Sequence, residues 1–154
     1  LAACAEEKQG ELLERLVRAL GTGGIGGKVS AGYGTFIVDD VILLNEPFDA
    51  QTDWFYTALT MQSPKHYLLL TTSLPTDGEL EDVLDGAYYQ LARRGGYVQS
   101  NTFSSTPQRK RTQYFLAAGA TLARTFAGAL YNVADAGTHP VYRYAKPMML
   151  GVSF

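Results

Sequence analysis

Cysteine and long apolar runs are both nearly absent from this sequence. Cys4 is the single cysteine among 154 residues, so the chain can form neither an internal disulfide nor a cysteine-rich zinc site. No run of about eighteen apolar residues, the length of a transmembrane helix, occurs. A basic-then-apolar leader is also absent. We therefore expect a cytoplasmic protein without a membrane partner.

The chain has no initiator Met, and residues 1–8 already have a helical composition. These two features predict a fragment of a longer polypeptide. Its length is typical of one globular domain, and its 46% hydrophobic content is sufficient to build a core. We expect residues 1–154 to form a single domain.

Acidic residues are scarce in the second part of the chain. Residues 1–85 carry five Lys or Arg and fourteen Asp or Glu, a formal charge of −9, whereas residues 86–154 carry eight basic residues and one acidic residue, a formal charge of +7. Such a basic segment suits a polyanion, although a solvated basic face has the same composition. The basic residues are Arg93, Arg94, Arg109, Lys110, Arg111, Arg124, Arg143 and Lys146.

The N-terminal region alternates between helical, glycine-rich and strand-like patterns. Apolar residues at helical spacing predict a helix over Ala3–Leu20, ended by Gly21. Seven of the fourteen residues in Gly21–Gly34 are glycine, which predicts a loop. The β-branched segment Tyr33–Leu44 predicts a strand, and Asn45–Pro64 an irregular connection.

The remaining chain combines one helical pattern with several short strands. Lys65–Ser73 predicts a strand. Thr76 and Glu79 form a capping box before apolar residues spaced helically to Leu91, which predicts a helix with Arg93 and Arg94 in its last turn and Gly95-Gly96 as its stop. Further strands are predicted at Tyr97–Asn101, Arg111–Ala117, Ala129–Val133, Val141–Tyr144 and Pro147–Val152.

This element order predicts an α+β fold. The strand segments are too short for a parallel crossover sheet, so a ferredoxin-like or RRM-like antiparallel sheet covered by two helices, with extra β-hairpin elements, is expected.

The glycine-rich loop does not fit either common nucleotide-binding motif. In the register of a Walker A loop, Thr22 occupies the first glycine position and Val29 the position of the magnesium-binding hydroxyl. A dinucleotide fingerprint needs a strand before the glycines and a helix after them, and the predicted order here is the reverse. Two interpretations stay open: a purely conformational turn, or a row of backbone N–H groups from Gly23 to Ser30 that binds an anion beside Lys28.

The order of motifs resembles that of RAMP superfamily proteins. The string GIGGKVSAGYGTF is similar to their glycine-rich loop, GxGGKRSSGFGxF, with matches at Gly24, Gly26, Gly27, Lys28, Ser30, Gly32, Gly34 and Phe36. Downstream, HYLLLTTSLP, RRGGYVQS, the RKR run and HPVYRYAKPM resemble successive landmarks of one branch, the fourth subunit of the type III-A CRISPR (Csm) complex. The likeness runs from about Gly21 to the C-terminus.

The resemblance implies a fold of two RRM-like modules, of which this chain is the second. It also implies a non-catalytic subunit, without a cofactor, that binds the 5′ repeat tag of the CRISPR RNA in an antiviral interference complex. The implied protein partners are other Csm subunits, including the large polymerase-like subunit and the filament-forming RAMP subunit.

Carried over by position, the RNA-binding residues fall in the loop and in the basic run. Two departures concern these contacts: Val29 replaces the Arg that often follows the loop Lys, which removes one phosphate contact, and Ala145 interrupts the RYGK string. The expected RNA contacts are Gly23, Gly24, Gly26, Gly27, Lys28, Ser30, Arg109, Lys110 and Arg111.

Other residues support alternative functions. His66 and His139 could act as general acid and base of a RAMP endoribonuclease that processes CRISPR repeat RNA, although surface or capping roles suit their positions better. Asp39 and Asp40 are adjacent on a predicted strand and face opposite ways, so we expect no metal site there. The acidic segments Glu6–Glu14 and Asp77–Asp85 could dock a partner subunit. Base stacking is conceivable for aromatic residues near basic ones, namely Tyr114, Phe115, Tyr142 and Tyr144.

Overall fold

The computed structural model describes residues 6–26, 28–42, 49–98, 100 and 102–153. Contacts divide the chain into two compact units, Leu1–Phe48 and Asp49–Phe154, which are described separately below. Helices and antiparallel sheets occur together, which confirms the predicted α+β class with extra hairpins.

The first unit is built on one helix and the glycine-rich loop. Helix α1 spans Glu7–Gly23, so the predicted N-terminal helix is confirmed from Glu7 onward and extends two residues past the predicted stop at Gly21. Residues 3–5 of the prediction lie outside the described part of the chain. A 3₁₀ turn, Val29–Ala31, follows within the loop.

The strand predicted at Tyr33–Leu44 is wrong within the described residues 33–42, which form no strand. The Phe36 backbone N–H donates to the Gly21 carbonyl at 3.1 Å, and the Arg18 guanidinium donates to the Val38 carbonyl at 2.9 Å. The segment is therefore held to the end of α1 rather than paired with another strand. Residues 43–44 lie outside the described part of the chain.

In chain order the second unit contains α2 (Ala50–Thr60), β1 (His66–Leu69), α3 (Leu80–Leu84), β2 (Leu91–Arg94), β3 (Gln113–Leu116), β4 (Thr121–Leu122), β5 (Leu130–Asn132), β6 (Tyr142–Tyr144) and β7 (Met149–Val152). The predicted strands are confirmed at β1, β3, β5, β6 and β7, while β2 and β4 were not predicted. At Tyr97–Asn101 the structure has a single bridge, Tyr97 to Arg109, and residues 99 and 101 lie outside the described part.

Helix α2 lies within the segment Asn45–Pro64, which was predicted to be an irregular connection and of which residues 45–48 lie outside the described part of the chain. The helix begins with a side-chain cap, because the Thr52 backbone N–H donates to the Asp49 carboxylate at 2.7 Å. The same bond holds the pKa of Asp49 below its ordinary value. Mixed polar and apolar residues without a clear helical stripe concealed this helix in the sequence.

The strands in the described part of the second unit form three antiparallel sheets. A three-stranded sheet has the order β4-β1-β7, with Tyr67 opposite both Leu122 and Gly151. Strands β2 and β3 form one hairpin, and β5 and β6 form another. The core lies beside the three-stranded sheet and contains Leu69, Val83, Leu116, Ala120, Leu122 and Phe126.

The long helix predicted after Thr76 is wrong beyond Leu84. The predicted capping box forms only in part: the Thr76 backbone N–H donates to the Glu79 carboxylate at 2.8 Å, but α3 begins at Leu80 and has no side-chain cap. After α3, however, Gly86 turns the chain with a φ of 67°, and Tyr88 exchanges both backbone hydrogen bonds with Thr121 at 2.9 Å. Pairing with neighbouring strands therefore overrides the helical spacing of the apolar residues.

As a result, Arg93 and Arg94 do not occupy the last turn of a helix. They lie at the end of β2, where Arg93 is opposite Tyr114 and Arg94 is opposite Gln113. The Gly95-Gly96 pair leads away from this strand instead of ending a helix.

Candidate nucleic-acid interface

The glycine-rich loop is closed at its base by backbone hydrogen bonds. The Gly24 N–H donates to the Leu20 carbonyl at 2.7 Å and the Ile25 N–H donates to the Gly34 carbonyl at 2.9 Å. Gly34 has a φ of 82°, and a Cβ there would overlap the Ile25 carbonyl. The loop thus requires glycine at this position because its two ends approach closely.

Fewer loop amides are available to a ligand than the sequence predicted. Gly23 is the last residue of α1, and the Gly24 N–H is already bonded within the chain. Among the described residues, no protein acceptor is assigned to the exposed backbone N–H groups of Gly26, Lys28, Val29 and Ser30. Gly27, the remaining predicted contact, lies outside the described residues.

The electrostatics of this loop are mixed. The C-terminal end of α1 points its partial negative charge at the loop, and its last turn contains no basic residue. Arg18 is paired with Glu14 at 2.8 Å. Lys28 is therefore the cation that the loop itself presents to a phosphate, and its backbone carbonyl is occupied by the N–H groups of Ala31 and Tyr33.

The predicted basic run lies in the second unit, next to the Gly95-Gly96 turn. The Lys110 N–H donates to the Gly96 carbonyl at 2.8 Å, and Arg109 forms a backbone bridge with Tyr97. The exposed Arg109 guanidinium also lies over the Tyr97 ring, 5.6 Å from its centroid. This arrangement holds one cation against an aromatic face at the surface.

Arg111 differs from its two neighbours because it is already paired. Its Nε lies 2.8 Å from Asp135 Oδ1, and its guanidinium donates to the Ala134 carbonyl at 3.3 Å. Both charged side chains are exposed, so the pair is weak and a phosphate could compete for Arg111. Arg109 and Lys110 are the more available cations of the run.

Arg143, which the sequence presented as a basic residue of the interrupted RYGK string, joins the two hairpins. Its guanidinium donates to the carbonyls of Arg94 at 3.1 Å, Gly95 at 3.2 Å and Arg111 at 3.5 Å, and to the Gln113 side chain at 3.3 Å. A cleft of about 260 Å³ lies beside it, lined by Thr72, Arg94, Gly95, Phe115, Arg143 and Tyr144.

The four aromatic residues proposed for stacking fall into two groups. Phe115 is 2% exposed and belongs to the interior. Tyr114, Tyr142 and Tyr144 are exposed on the β2–β3 and β5–β6 hairpins. Neighbouring side chains on a strand face opposite ways, so the exposed tyrosines point away from the buried Phe115 and the anchored Arg143. This alternation is the sequence signal that could have separated the two groups.

The two histidines occupy separate structural settings. His139 packs edge-on against Phe103, with ring centroids 5.2 Å apart, and its Nδ1 lies 3.0 Å from the Pro140 carbonyl. His66 lies in β1 opposite Val152. Within the described part of the chain, no group of three or more His, Cys, Asp or Glu side chains could hold a metal ion.

The membrane prediction was tested on the helices that the structure describes. None of them is long and apolar enough to cross a bilayer.

Comparison with known proteins identifies the family. Residues 62–152 match the family model described as the CRISPR Csm4 C-terminal domain. Proteins named "CRISPR system Cms protein Csm4" from two Mycobacterium tuberculosis strains, CDC 1551 / Oshkosh and ATCC 25618 / H37Rv, are each 40% identical over 152 residues. The alignments cover 99% of this chain and 46% of each relative.

A protein of the same name from Streptococcus thermophilus is 32% identical over 141 residues, which cover 91% of this chain and 44% of the relative. The chain thus spans about half the length of the curated relatives it matches. The family match includes the basic run and both hairpins. Because it covers more than half of the chain, the chain belongs to the family of CRISPR Csm4 C-terminal domains.

Proposed function

We propose that this chain is the RNA-holding part of a non-catalytic subunit in a type III-A CRISPR (Csm) interference complex. In this proposal it binds the 5′ repeat tag of the CRISPR RNA and contacts both the large polymerase-like subunit and the filament-forming RAMP subunit. The complex acts in antiviral defence. Membership in the Csm4 C-terminal domain family supports this assignment.

The observation that carries the proposal is the exposed basic run beside Gly96 and Tyr97. The half-buried Lys110 is held by the hydrogen bond from its backbone N–H to the Gly96 carbonyl, and the exposed Arg109 lies against the Tyr97 ring. Residues 86–154 carry a formal charge of +7, so carboxylates that are near in the sequence do not neutralise these cations. Such a surface binds phosphates by releasing their condensed counterions.

The glycine-rich loop supports the proposal through its main chain. The backbone N–H groups of four exposed residues, Gly26, Lys28, Val29 and Ser30, have no protein acceptor among the described residues. They can donate to phosphate oxygens, and Lys28 adds a point charge. We propose that Gly23 and Gly24 shape this contact rather than each donating to the RNA. Gly27, outside the described residues, stays a predicted RNA contact.

Salt-dependent binding of the tag RNA tests the proposal. Alanine substitution of both Arg109 and Lys110 is expected to weaken binding and to lower the salt slope by about one to two phosphate contacts. Arg124→Ala is the matched control, because Arg124 is an exposed arginine whose partner is Asp82 at 3.5 Å. An unchanged salt slope in the double variant would show that the basic run is not the phosphate contact.

The same assay tests the endoribonuclease alternative. Wild-type protein incubated with repeat RNA in the presence of a chelator is expected to leave the RNA intact. Cleavage that disappears in His139→Ala or His66→Ala would overturn the non-catalytic assignment.

A further inference from the structure

Two tyrosines share the outward face of the β5–β6 hairpin. Tyr142 is opposite Asn132 and Tyr144 is opposite Leu130, and the two rings are 64% and 67% exposed. Residues two apart on a strand project from the same face, roughly 7 Å from each other. The hairpin therefore presents a pair of aromatic side chains to solvent in a fixed spacing.

The opposite face of this hairpin is anchored. Arg143 lies between the two tyrosines in sequence and donates to the carbonyls of Arg94 and Gly95. Tyr131, the cross-strand partner of Arg143, donates its hydroxyl to the Pro75 carbonyl at 2.9 Å. Since these bonds hold the inner face, the tyrosines cannot turn inward without breaking them.

Cations lie near Tyr144, while the carboxylates of Asp77 and Glu79 act on Tyr131 on the anchored face of the same hairpin. Tyr144 lines the 260 Å³ cleft together with Arg94 and Arg143, and Lys146 is exposed two residues further along the chain. Asp135 is the one acidic residue in the sequence from 86 to 154, and its carboxylate is paired with Arg111. Exposed aromatic faces among unpaired cations suit single-stranded nucleic acid, because bases stack while phosphates contact the cations.

We propose that Tyr142 and Tyr144 form a stacking platform for two unpaired bases of single-stranded RNA, with Arg94 and Lys146 facing the adjoining phosphates. This inference rests on the proposed RNA-binding function and assigns it residues outside the glycine loop and the basic run. A protein partner could also cover exposed tyrosines. The excess of positive charge favours RNA.

The test compares binding of a fluorescently labelled single-stranded RNA with binding of the same strand carrying abasic sites. Tyr142→Ala and Tyr144→Ala are each expected to lower affinity for the intact RNA roughly ten-fold. The salt slope should stay unchanged, because no charge is removed. Tyr142→Phe and Tyr144→Phe should bind like the wild type, since the ring is retained.

The abasic strand isolates the stacking contribution. It should bind wild type and the alanine variants equally, because it offers phosphates but no bases at the platform. Tyr88→Ala removes another highly exposed tyrosine, 79% exposed and paired through its backbone with Thr121, and should leave affinity unchanged. Circular dichroism on each variant checks that the fold is retained.

The outcomes separate this inference from the function on which it rests. If the wild type binds no RNA, both are overturned. If Arg109 and Lys110 variants weaken binding but the tyrosine variants do not, the platform alone is overturned. Loss of complex assembly with unchanged RNA affinity would also overturn the platform and assign the tyrosine face to a protein partner.

Discussion

The Glu79 carboxylate accepts a hydrogen bond from the backbone N–H of Ala127 at 2.7 Å, across 48 positions of sequence. The same carboxylate also accepts from the Gly128 N–H and from the main chain and hydroxyl of Thr76. One side chain thus caps the turn before α3 and fixes the segment that leads into β5.

Replacing Glu79 by Ala is expected to destabilise the protein by about 2 kcal/mol, because several N–H groups lose a charged acceptor. The midpoint of urea unfolding measures this change. Glu81→Ala is the control, since Glu81 is an exposed carboxylate in the same short helix. Equal effects of the two substitutions would argue against the proposed role of Glu79.

The same contact makes stability depend on pH. Hydrogen bonds from Thr76, followed by that from Ala127, lower the pKa of Glu79 below its ordinary value of 4.5. The stabilisation is therefore complete above that value and is lost as the pH falls through the lower pKa of the folded state. Between about pH 5 and pH 3, the wild type should lose stability more steeply than Glu79→Gln. Parallel curves from urea unfolding at each pH would contradict this expectation.

Arg143 is expected to be required for the position of the β5–β6 hairpin. Arg143→Met keeps much of the aliphatic length but removes every donor to Arg94, Gly95 and Gln113. We therefore expect the free energy of unfolding to fall by about 2 kcal/mol. Arg143→Lys restores the charge but not the planar fork, and should recover less than half of the loss. Chemical unfolding measures both variants, and a lysine variant as stable as the wild type would show that charge alone suffices.

Gly34→Ala should loosen the glycine-rich loop. The left-handed backbone of Gly34 costs a non-glycine residue about 1–2 kcal/mol, and the added Cβ meets the Ile25 carbonyl. Hydrogen exchange at the Ile25 amide should accelerate roughly ten-fold. Gly23→Ala is the control, because Gly23 lies in α1 and an added Cβ meets nothing within 4 Å. Unchanged exchange in Gly34→Ala would mean that the loop is not held closed by this bond.

Local patterns predicted the elements that depend on local chemistry. The contact between Thr76 and Glu79 formed, although α3 begins at Leu80 without a side-chain cap, and the apolar stripe of α1 marked a real helix. The helix expected to continue to Leu91 did not, because Tyr88 pairs with Thr121, a partner 33 positions away that no local pattern reveals. The irregular connection predicted at Asn45–Pro64 missed helix α2, because this helix has a side-chain cap at Asp49 but little amphipathic spacing.

The sequence likewise predicted some features of the candidate site and missed others. Composition indicated a basic C-terminal segment, yet it could not separate the exposed Arg109 from Arg143, whose guanidinium is occupied by carbonyls. Nor could it show that Arg111 is paired with Asp135. These distinctions depend on which hairpins come together, and sequence spacing does not determine that.

Three of the four acceptors around Arg143 are main-chain carbonyls, those of residues 94, 95 and 111. A carbonyl remains whatever side chain its residue carries. The framework can therefore tolerate exchange of the side chains at positions 94 and 111 without losing these three acceptors.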